Sequence, residues 1–247
     1  MIIEDIITVA KAAGKTILAA DRSAIGVQDK QGHANFVTKY DVRVQEEVKE
    51  ALHNLFPEAK FLCEEDDKAN TTGTEYLFII DPIDGTTNFI KDYHMSCISI
   101  GLVKNNERFM GVVYNPYLDE VFYAERGKGA FLNGKPIHVS GEPLSNGIVL
   151  FGTAPYYEEL NRKSFDIAYD YFKKALDIRR SGSAALDLCA VAAGRAELFF
   201  ELKLSPWDFA AGALIVEEAG GVVTDAEGGV LPITEPSSLI ARNGVTE

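Results

Sequence analysis

The chain is predicted to be a mixed α/β protein, and three features of its 247 residues point there. Helical periodicity opens the sequence. Ile3, Ile6, Ile7, Ala10, Gly14, Ile17 and Leu18 fall on one face, while Glu4, Asp5, Lys11 and Lys15 lie off it. The middle, residues 95–138, is a series of short apolar runs cut by turn-type linkers. From Ile148 onward strand-like and helix-like segments alternate, an order that builds a mixed α/β layer.

After the first amphipathic helix, residues 26–40 lose all periodicity. They carry Gly26, Asp29, Lys30, Gly32, His33 and Asn35, and end in a short strand at Phe36 and Val37. A polar loop of this kind is the type of segment that covers a site. A helix follows Asp41, with Val44, Val48, Leu52, Leu55 and Phe56 on one side and Pro57 as its stop. Asp41 itself is suited to cap it. Residues 60–63 form a short strand feeding an acidic turn, Glu64-Glu65-Asp66-Asp67. Glu64 comes first after the apolar residues and is best placed to point inward; the other three read as solvated. Residues 68–75 are a polar loop, and residues 76–80 are a buried strand.

The middle series reads as an antiparallel meander, with Asn133-Gly134 as a hairpin signal. Residues 141–147 form a boundary between an N-terminal α+β half, 1–143, and a C-terminal α/β half, 144–247. The second half opens with a strand at 148–151 and a loop at 152–155. Phe165, Ala168, Tyr169, Phe172 and Leu176 then define a helix face, and Ile178 opens a short strand. Ser183 caps a very apolar helix over 184–193. A strand over 196–200 ends at Glu201, and a loop leads to Trp207. The helix begun there is closed by Gly220-Gly221, with a strand starting at Val222.

Composition narrows the function. A net charge of −13 argues against nucleic-acid or anionic-membrane partners. It also requires a local source of positive charge if the substrate is an anion, which divalent metals would provide. Cys63, Cys97 and Cys189 lie far apart, in or beside apolar runs, and read as buried thiols of a reducing compartment. The first twenty residues lack a signal-peptide pattern and no apolar run approaches a membrane span, so a cytoplasmic protein is expected.

The chemistry concentrates at Asp81-Pro82-Ile83-Asp84-Gly85-Thr86-Thr87-Asn88-Phe89. Two carboxylates sit where a buried strand ends, followed by a glycine, two hydroxyls and an amide. On chemistry alone this is either a surface turn or a cation site, because buried carboxylates are costly unless paired or metal-bound. Oxygen ligands of this type suit Mg²⁺ or Mn²⁺. Gly85 permits a tight turn, and the amides that follow it, at Thr86 and Thr87, suit a phosphate. No G-x-S-x-G pattern, no G-x-G-x-x-G and no P-loop is present, so neither triad, dinucleotide nor nucleoside-triphosphate chemistry has support.

This nine-residue stretch resembles the first signature of the inositol monophosphatase family. Trp207-Asp208-Phe209-Ala210-Ala211-Gly212 resembles a second signature, and Glu64-Glu65 after Phe61-Leu62-Cys63 resembles a third, in the family's order and spacing over nearly the whole chain. Cys63 stands where the family often has glycine.

The resemblance implies a layered αβαβα sandwich of the inositol monophosphatase and fructose-1,6-bisphosphatase type. It implies Mg²⁺-dependent, Li⁺-sensitive hydrolysis of a small phosphorylated metabolite, first of all inositol monophosphate, by metal-activated water. Fructose-1,6-bisphosphatase, 3′-phosphoadenosine-5′-phosphate phosphatase, histidinol-phosphatase and NADP phosphatase are the alternatives, with an inactive regulatory metal-binding protein as the non-enzyme one. Two or three ions are implied. Glu64, Asp81 and the Ile83 carbonyl hold the first; Asp81, Asp84 and Asp208 hold the second; a weaker third shares Glu64. Thr86 and Asp41 orient the water. Lys30 is a solvated loop lysine on spacing alone, and on the resemblance it reaches toward phosphate. Ser183, Ala184 and Glu201 line the substrate pocket, although Glu201 on its own reads equally as a solvated strand end. A homodimer is expected.

Overall fold

A computed structural model describes residues 3–29, 36–66, 71 and 73–246. The apolar face of α1 (Ile3–Leu18) buries Ile6, Ala10, Ala13 and Ile17. After a short hairpin, β1 (Gln28–Asp29) with β2 (Phe36–Val37), the chain enters α2 (Lys39–Leu55). Thr38 is the N-cap of α2, and Asp41 completes a capping box from the third helical position. Asp41 is therefore inside the helix rather than ahead of it. Val44, Val48 and Leu52 are buried as the periodicity predicts, but Leu55 is half exposed, because the helix ends as it leaves the core.

β3 (Lys60–Cys63) pairs parallel with β4 (Tyr76–Asp84). The sequence predicted that β4 stops at Ile80; it continues through Asp84, with a register shift against its neighbour between Asp81 and Asp84. Pro82 lies in that irregular stretch, where a missing N–H does least harm to the ladder. The short helix α3 (Thr86–Ile90) follows at once. The meander is present as β5 (Cys97–Lys104), β6 (Glu107–Asn115), β7 (Glu120–Glu125), β8 (Ala130–Leu132) and β9 (Lys135–Ile137), giving a seven-stranded sheet in the order β3 to β9.

The second sheet is built from β10 (Ile148–Phe151), β11 (Asp177–Arg179), β12 (Leu198–Leu204), β13 (Val222–Thr224) and β14 (Ser237–Arg242), in the order β11-β10-β12-β14-β13. β14 was not recognised in the sequence. It is short, polar at its start, and stabilised by antiparallel pairing with β12 and β13. β12 runs through Glu201, which the sequence had placed at the strand's end.

Three helices complete the layers: α4 (Glu158–Phe172), α5 (Ala184–Ala192) and α6 (Pro206–Glu218). α1 and α2 cover the outer face of the first sheet, α5 and α6 fill the space between sheets, and α4 covers the second sheet. The architecture is thus the αβαβα sandwich. The low amphipathicity of α5 and α6 has its cause here, since apart from Asp187, Asp208 and the terminal Glu217 and Glu218 both are apolar all round and buried between two sheets. Small residues set the spacing. A Cβ on Gly101 would lie 2.9 Å from Ala210 Cβ, and one on Gly111 would lie 2.7 Å from the Ala211 carbonyl. The Ala210-Ala211 pair therefore lets α6 lie directly on β5 and β6.

One predicted face is corrected. Of the α4 stripe only Ala168 is buried; Phe165, Tyr169, Phe172 and Leu176 are 55, 61, 51 and 68% exposed. The spacing identified a helix correctly, but the side that meets the sheet is the one carrying Ser164, Ile167, Ala168 and Tyr171. No helix among the described residues is long and apolar enough to cross a membrane.

Candidate active site

The close seat of α6 carries Asp208, in its first turn, to the end of β4. Asp208 also closes its own capping box, its Oδ2 accepting the Ser205 N–H at 2.7 Å. One carboxylate oxygen from each of Asp81, Asp84 and Asp208 lies within 4.8 Å of the others. Burial of the three together makes ionisation costly: Asp81 and Asp208 are pushed well above the usual carboxylate range by desolvation and by their neighbours' charge, and Asp84 is raised by desolvation. Two buried acids and a partly buried third, with no basic partner at that distance among the described residues, fit a divalent cation, which would remove the repulsion that the bare cluster carries. Glu64 lines the same cavity and acts on Asp81 and Asp208 by charge, but it is not one of the tight three.

Each acid is held by its surroundings. Asp81 Oδ1 accepts the Ile83 N–H at 3.0 Å. Asp84 Oδ2 accepts the Ser183 hydroxyl at 2.6 Å and the Ala185 N–H at 2.7 Å, so the start of α5 grips a side chain of the first sheet. Ser183 was expected to line the pocket. It does, and its hydroxyl is also spent on Asp84 and on capping α5 through the Leu186 N–H. Ala184 lies beside it on the cavity wall. The turn bearing Glu64 is fastened from α2: Gln45 Nε2 donates to Asp66 Oδ1, Lys49 Nζ lies 2.7 Å from Asp66 Oδ2, and Gln45 Oε1 accepts the Glu65 N–H. Asp66, read from sequence as a solvated acid, is thus an anchor. Asp67 lies outside the described residues.

Thr86 begins α3 directly beyond the acids. Its hydroxyl lies 3.2 Å from Asp41 Oδ1 and 3.2 Å from the Ile83 carbonyl. Asp41 is fully buried, takes the Thr38 N–H and hydroxyl on its other oxygen, and is pushed up to about 6 by burial. Gly85, at φ +88°, makes the sharp entry into α3; a Cβ there would come 2.9 Å from the Met95 carbonyl. The first amides of α3, at Thr86 and Thr87, have no acceptor within the helix. Lys30 lies outside the described residues.

These groups open on a cavity of about 840 Å³ lined by the ends of β4, β10 and β12. Its far side holds Glu201, buried in β12. Glu201 Oε1 accepts the Ala154 N–H at 2.8 Å, and burial pushes the carboxyl up to about 7. Sequence reasoning missed three residues of this wall. Asp187 is a buried carboxylate raised well above its usual range by desolvation. Arg180 is the charge that draws both Asp187 and Glu201 back down. Tyr156 has its phenol pushed up by burial and by Glu64, Asp208, Asp81 and Asp84. An aspartate inside the apolar 184–193 helix was the available signal for Asp187, because a lone carboxylate on such a helix is costly unless it has a task. Tyr156 and Arg180 sit in loops with no local pattern. The three cysteines are buried free thiols, and Cys97 Sγ lies 3.8 Å from Asp84 Oδ2.

Comparison with known proteins agrees with this geometry. The chain is 41% identical over 236 residues to inositol monophosphatase 2 of Solanum lycopersicum, covering 92% of this chain and 88% of the relative. It is 39% identical over 225 residues to the Nus factor SuhB of Vibrio cholerae, covering 90% and 84%. The crystal structure of the extragenic suppressor protein suhB of Bartonella henselae superposes with a TM-score of 0.90 at 35% identity, over 98% of this chain and 94% of that one. The model of the inositol monophosphatase family matches residues 2–247, and the chain belongs to that family.

Proposed function

We propose that the protein is a Mg²⁺-dependent phosphomonoesterase whose first substrate is inositol monophosphate. The observation that carries this is the meeting of Asp81 and Asp84 with Asp208 within 4.8 Å, beside the Thr86–Asp41 pair. Asp81, Asp84, Asp208, Glu64 and the Ile83 carbonyl are the groups that would hold the metal. Mg²⁺ bound there supplies charge for the phosphoryl oxygens and lowers the pKa of water. The chain's residues do the rest. Thr86, donating its one proton to Asp41, presents its lone pairs to a water and turns it toward phosphorus. The buried Asp41 carboxylate is the acceptor that fixes that direction. The amides of Gly85, Thr86 and Thr87 are where the resemblance places phosphate oxygens, at a helix start that favours anions. Ser183 and Ala184 bound the leaving-group side. Glu201 faces the leaving group, where a buried carboxylate accepts strongly from hydroxyls and repels a second phosphate.

The name of the tomato relative supports inositol monophosphate. The name of the Vibrio relative favours a second reading, a regulatory protein that acts by binding. Hydrolysis of p-nitrophenyl phosphate with and without Mg²⁺ separates the two. Turnover that requires Mg²⁺ supports the enzyme, and none at any Mg²⁺ concentration refutes it. A panel of inositol, fructose, nucleotide and histidinol phosphates then ranks the substrates, and a millimolar Li⁺ titration tests the sensitivity that the resemblance implies. Three unpaired thiols support a reducing, cytoplasmic setting.

A homodimer is part of the same reading, and the α4 stripe is the surface that supports it. Its four half-exposed side chains present on the order of 400 Å² of mostly apolar surface, about half of what one partner gives to a standard interface. Two ion pairs flank it, Arg162 with Asp166 on α4 and Asp170 with Lys173 at its end, so these charges are already partnered within the chain. The open edge of β11 does not add a strand there, because Asp177 and Arg179 bond the Ile178 N–H and carbonyl themselves. Sedimentation should show a dimer that Phe172→Asp converts to monomer; a monomeric wild type refutes it.

A further inference from the structure

The turn at 152–157, after β10, takes no part in the metal-side machinery, yet it is tied to the cavity wall along its length. Gly152 donates its N–H to the Phe200 carbonyl at 2.9 Å. Thr153 Oγ1 accepts from Arg180 Nε at 3.3 Å. Ala154 donates its N–H to Glu201 Oε1 at 2.8 Å, and the Lys203 ammonium lies 4.8 Å above the Tyr157 ring. Two backbone features show how tightly the path is set. Ala154 has φ +44°, a conformation that side chains with a Cβ seldom adopt. Gly152 leaves room for no side chain, since a Cβ there would lie 1.9 Å from the Glu201 carboxylate. Strain of this kind persists only where surrounding contacts over-determine it, and it gathers where a group must be aimed.

What the turn carries into the cavity is Tyr156. It lines the same space as Asp81 and Asp208, remains 48% exposed, and belongs to none of the apolar clusters of the core. About half of the residue's surface is thus left open on the wall of the cavity that a substrate would enter. Glu201 and Asp187 bound that region with carboxylates.

We infer that Tyr156 is a specificity-determining residue that stacks on the C–H face of a cyclic alcohol, while Glu201 and Asp187 receive the hydroxyls at its rim. The inference deepens the phosphomonoesterase reading and rests on it. A ring polyol has that division, apolar above and below and polar around the edge. An acyclic alcohol offers no face to stack.

The test compares inositol 1-phosphate with glycerol 2-phosphate. Affinity is measured by calorimetric titration with Ca²⁺ in place of Mg²⁺, and KM in Mg²⁺ turnover. Tyr156→Ala should lower the preference for the cyclic ester by about tenfold, the upper range of an aromatic stacking contact, and Tyr156→Phe should keep most of it. Equal losses on both esters, or an unchanged preference, overturn the inference. The Ca²⁺ titration stands apart from turnover: a wild type that binds both esters but hydrolyses neither would refute the enzyme reading while still deciding the role of Tyr156.

Discussion

Ser183→Ala tests how far one hydroxyl holds the metal site together. Ser183 is 1% exposed, and its hydroxyl performs two tasks: it donates to Asp84 Oδ2 at 2.6 Å and accepts the Leu186 N–H at 3.3 Å as the cap of α5. A hydrogen bond to a charged group contributes about 1.5–3 kcal/mol, and an N-cap contributes about 1 kcal/mol. The two share one oxygen, and Asp84 keeps the Ala185 N–H, so the loss in the folded state should be about 2–3 kcal/mol rather than the sum. In a chain of this size that lowers Tm by roughly 4–12 °C. The larger effect falls on Asp84, whose carboxylate is no longer held toward Asp81 and Asp208. Loss of a group that orients a metal ligand weakens the metal by about 10–100-fold. The assay is phosphatase rate against Mg²⁺ concentration, with melting in parallel. Half-saturation should move to about 10-fold higher Mg²⁺ or beyond, with much of the rate recovered at saturating metal, and Ser183→Thr should restore the wild-type curve. A Ser183→Ala protein with unchanged Mg²⁺ half-saturation would refute the reasoning, whatever its Tm.

Asp81→Asn and Asp84→Asn should each reduce turnover by at least about 100-fold, since each removes charge and a preferred oxygen from the cluster; Thr86→Ala should lower kcat with little change in Mg²⁺ half-saturation, and an unchanged kcat would disprove the water-orienting role. Glu201→Gln should cost about 10-fold on inositol 1-phosphate and little on p-nitrophenyl phosphate, because only the first has hydroxyls to offer; equal losses would move Glu201 into the folding or metal machinery. The pH dependence of the metal-free protein follows from two raised carboxyls, Asp41 from 3.8 to about 6 and Glu201 from 4.5 to about 7. Their folded forms bind protons more tightly than the unfolded chain does, so their contribution favours folding at low pH and is lost as pH rises from about 4 to about 7, by on the order of 3 kcal/mol each. Melting of EDTA-treated protein should therefore be lower at pH 8 than at pH 5.5, and Mg²⁺ should recover it at pH 8; a metal-free Tm that rises over this range would contradict the assignment.

The parts of this protein that the sequence alone determined are those governed by neighbours along the chain. Most of the faces of α1 and α2 follow from spacing, because periodicity of 3.6 places side chains whatever lies opposite; Leu18 and Leu55, expected on those faces, are 52 and 46% exposed at the helix ends. The β5–β9 meander follows from turn residues, with Asn133-Gly134 setting a hairpin between β8 and β9. The grouping of Asp81 and Asp84 with Gly85 and Thr86 is local too, and it was legible as oxygen chemistry before any fold was known. Which side of α4 is buried was not legible. Apolar residues lie on both sides of that helix, and only the position of the second sheet selects the side with Ile167 and Tyr171 over the side with Tyr169 and Phe172. The length of β4 beyond Ile80 was hidden for a similar reason: carboxylates and a proline are poor strand formers, and the cross-strand pairing of Asp81 and Asp84 overrides them. The tertiary structure alone decided how far Asp208 lies from Asp81, a distance set by the glycine–alanine contacts that seat α6 on β5 and β6. It alone also brought Asp187, Arg180, Glu201 and Tyr156 to one wall. Those four come from a helix, two loops and a strand separated by up to 45 positions, and no pattern of spacing along a chain encodes which loops will share a cavity.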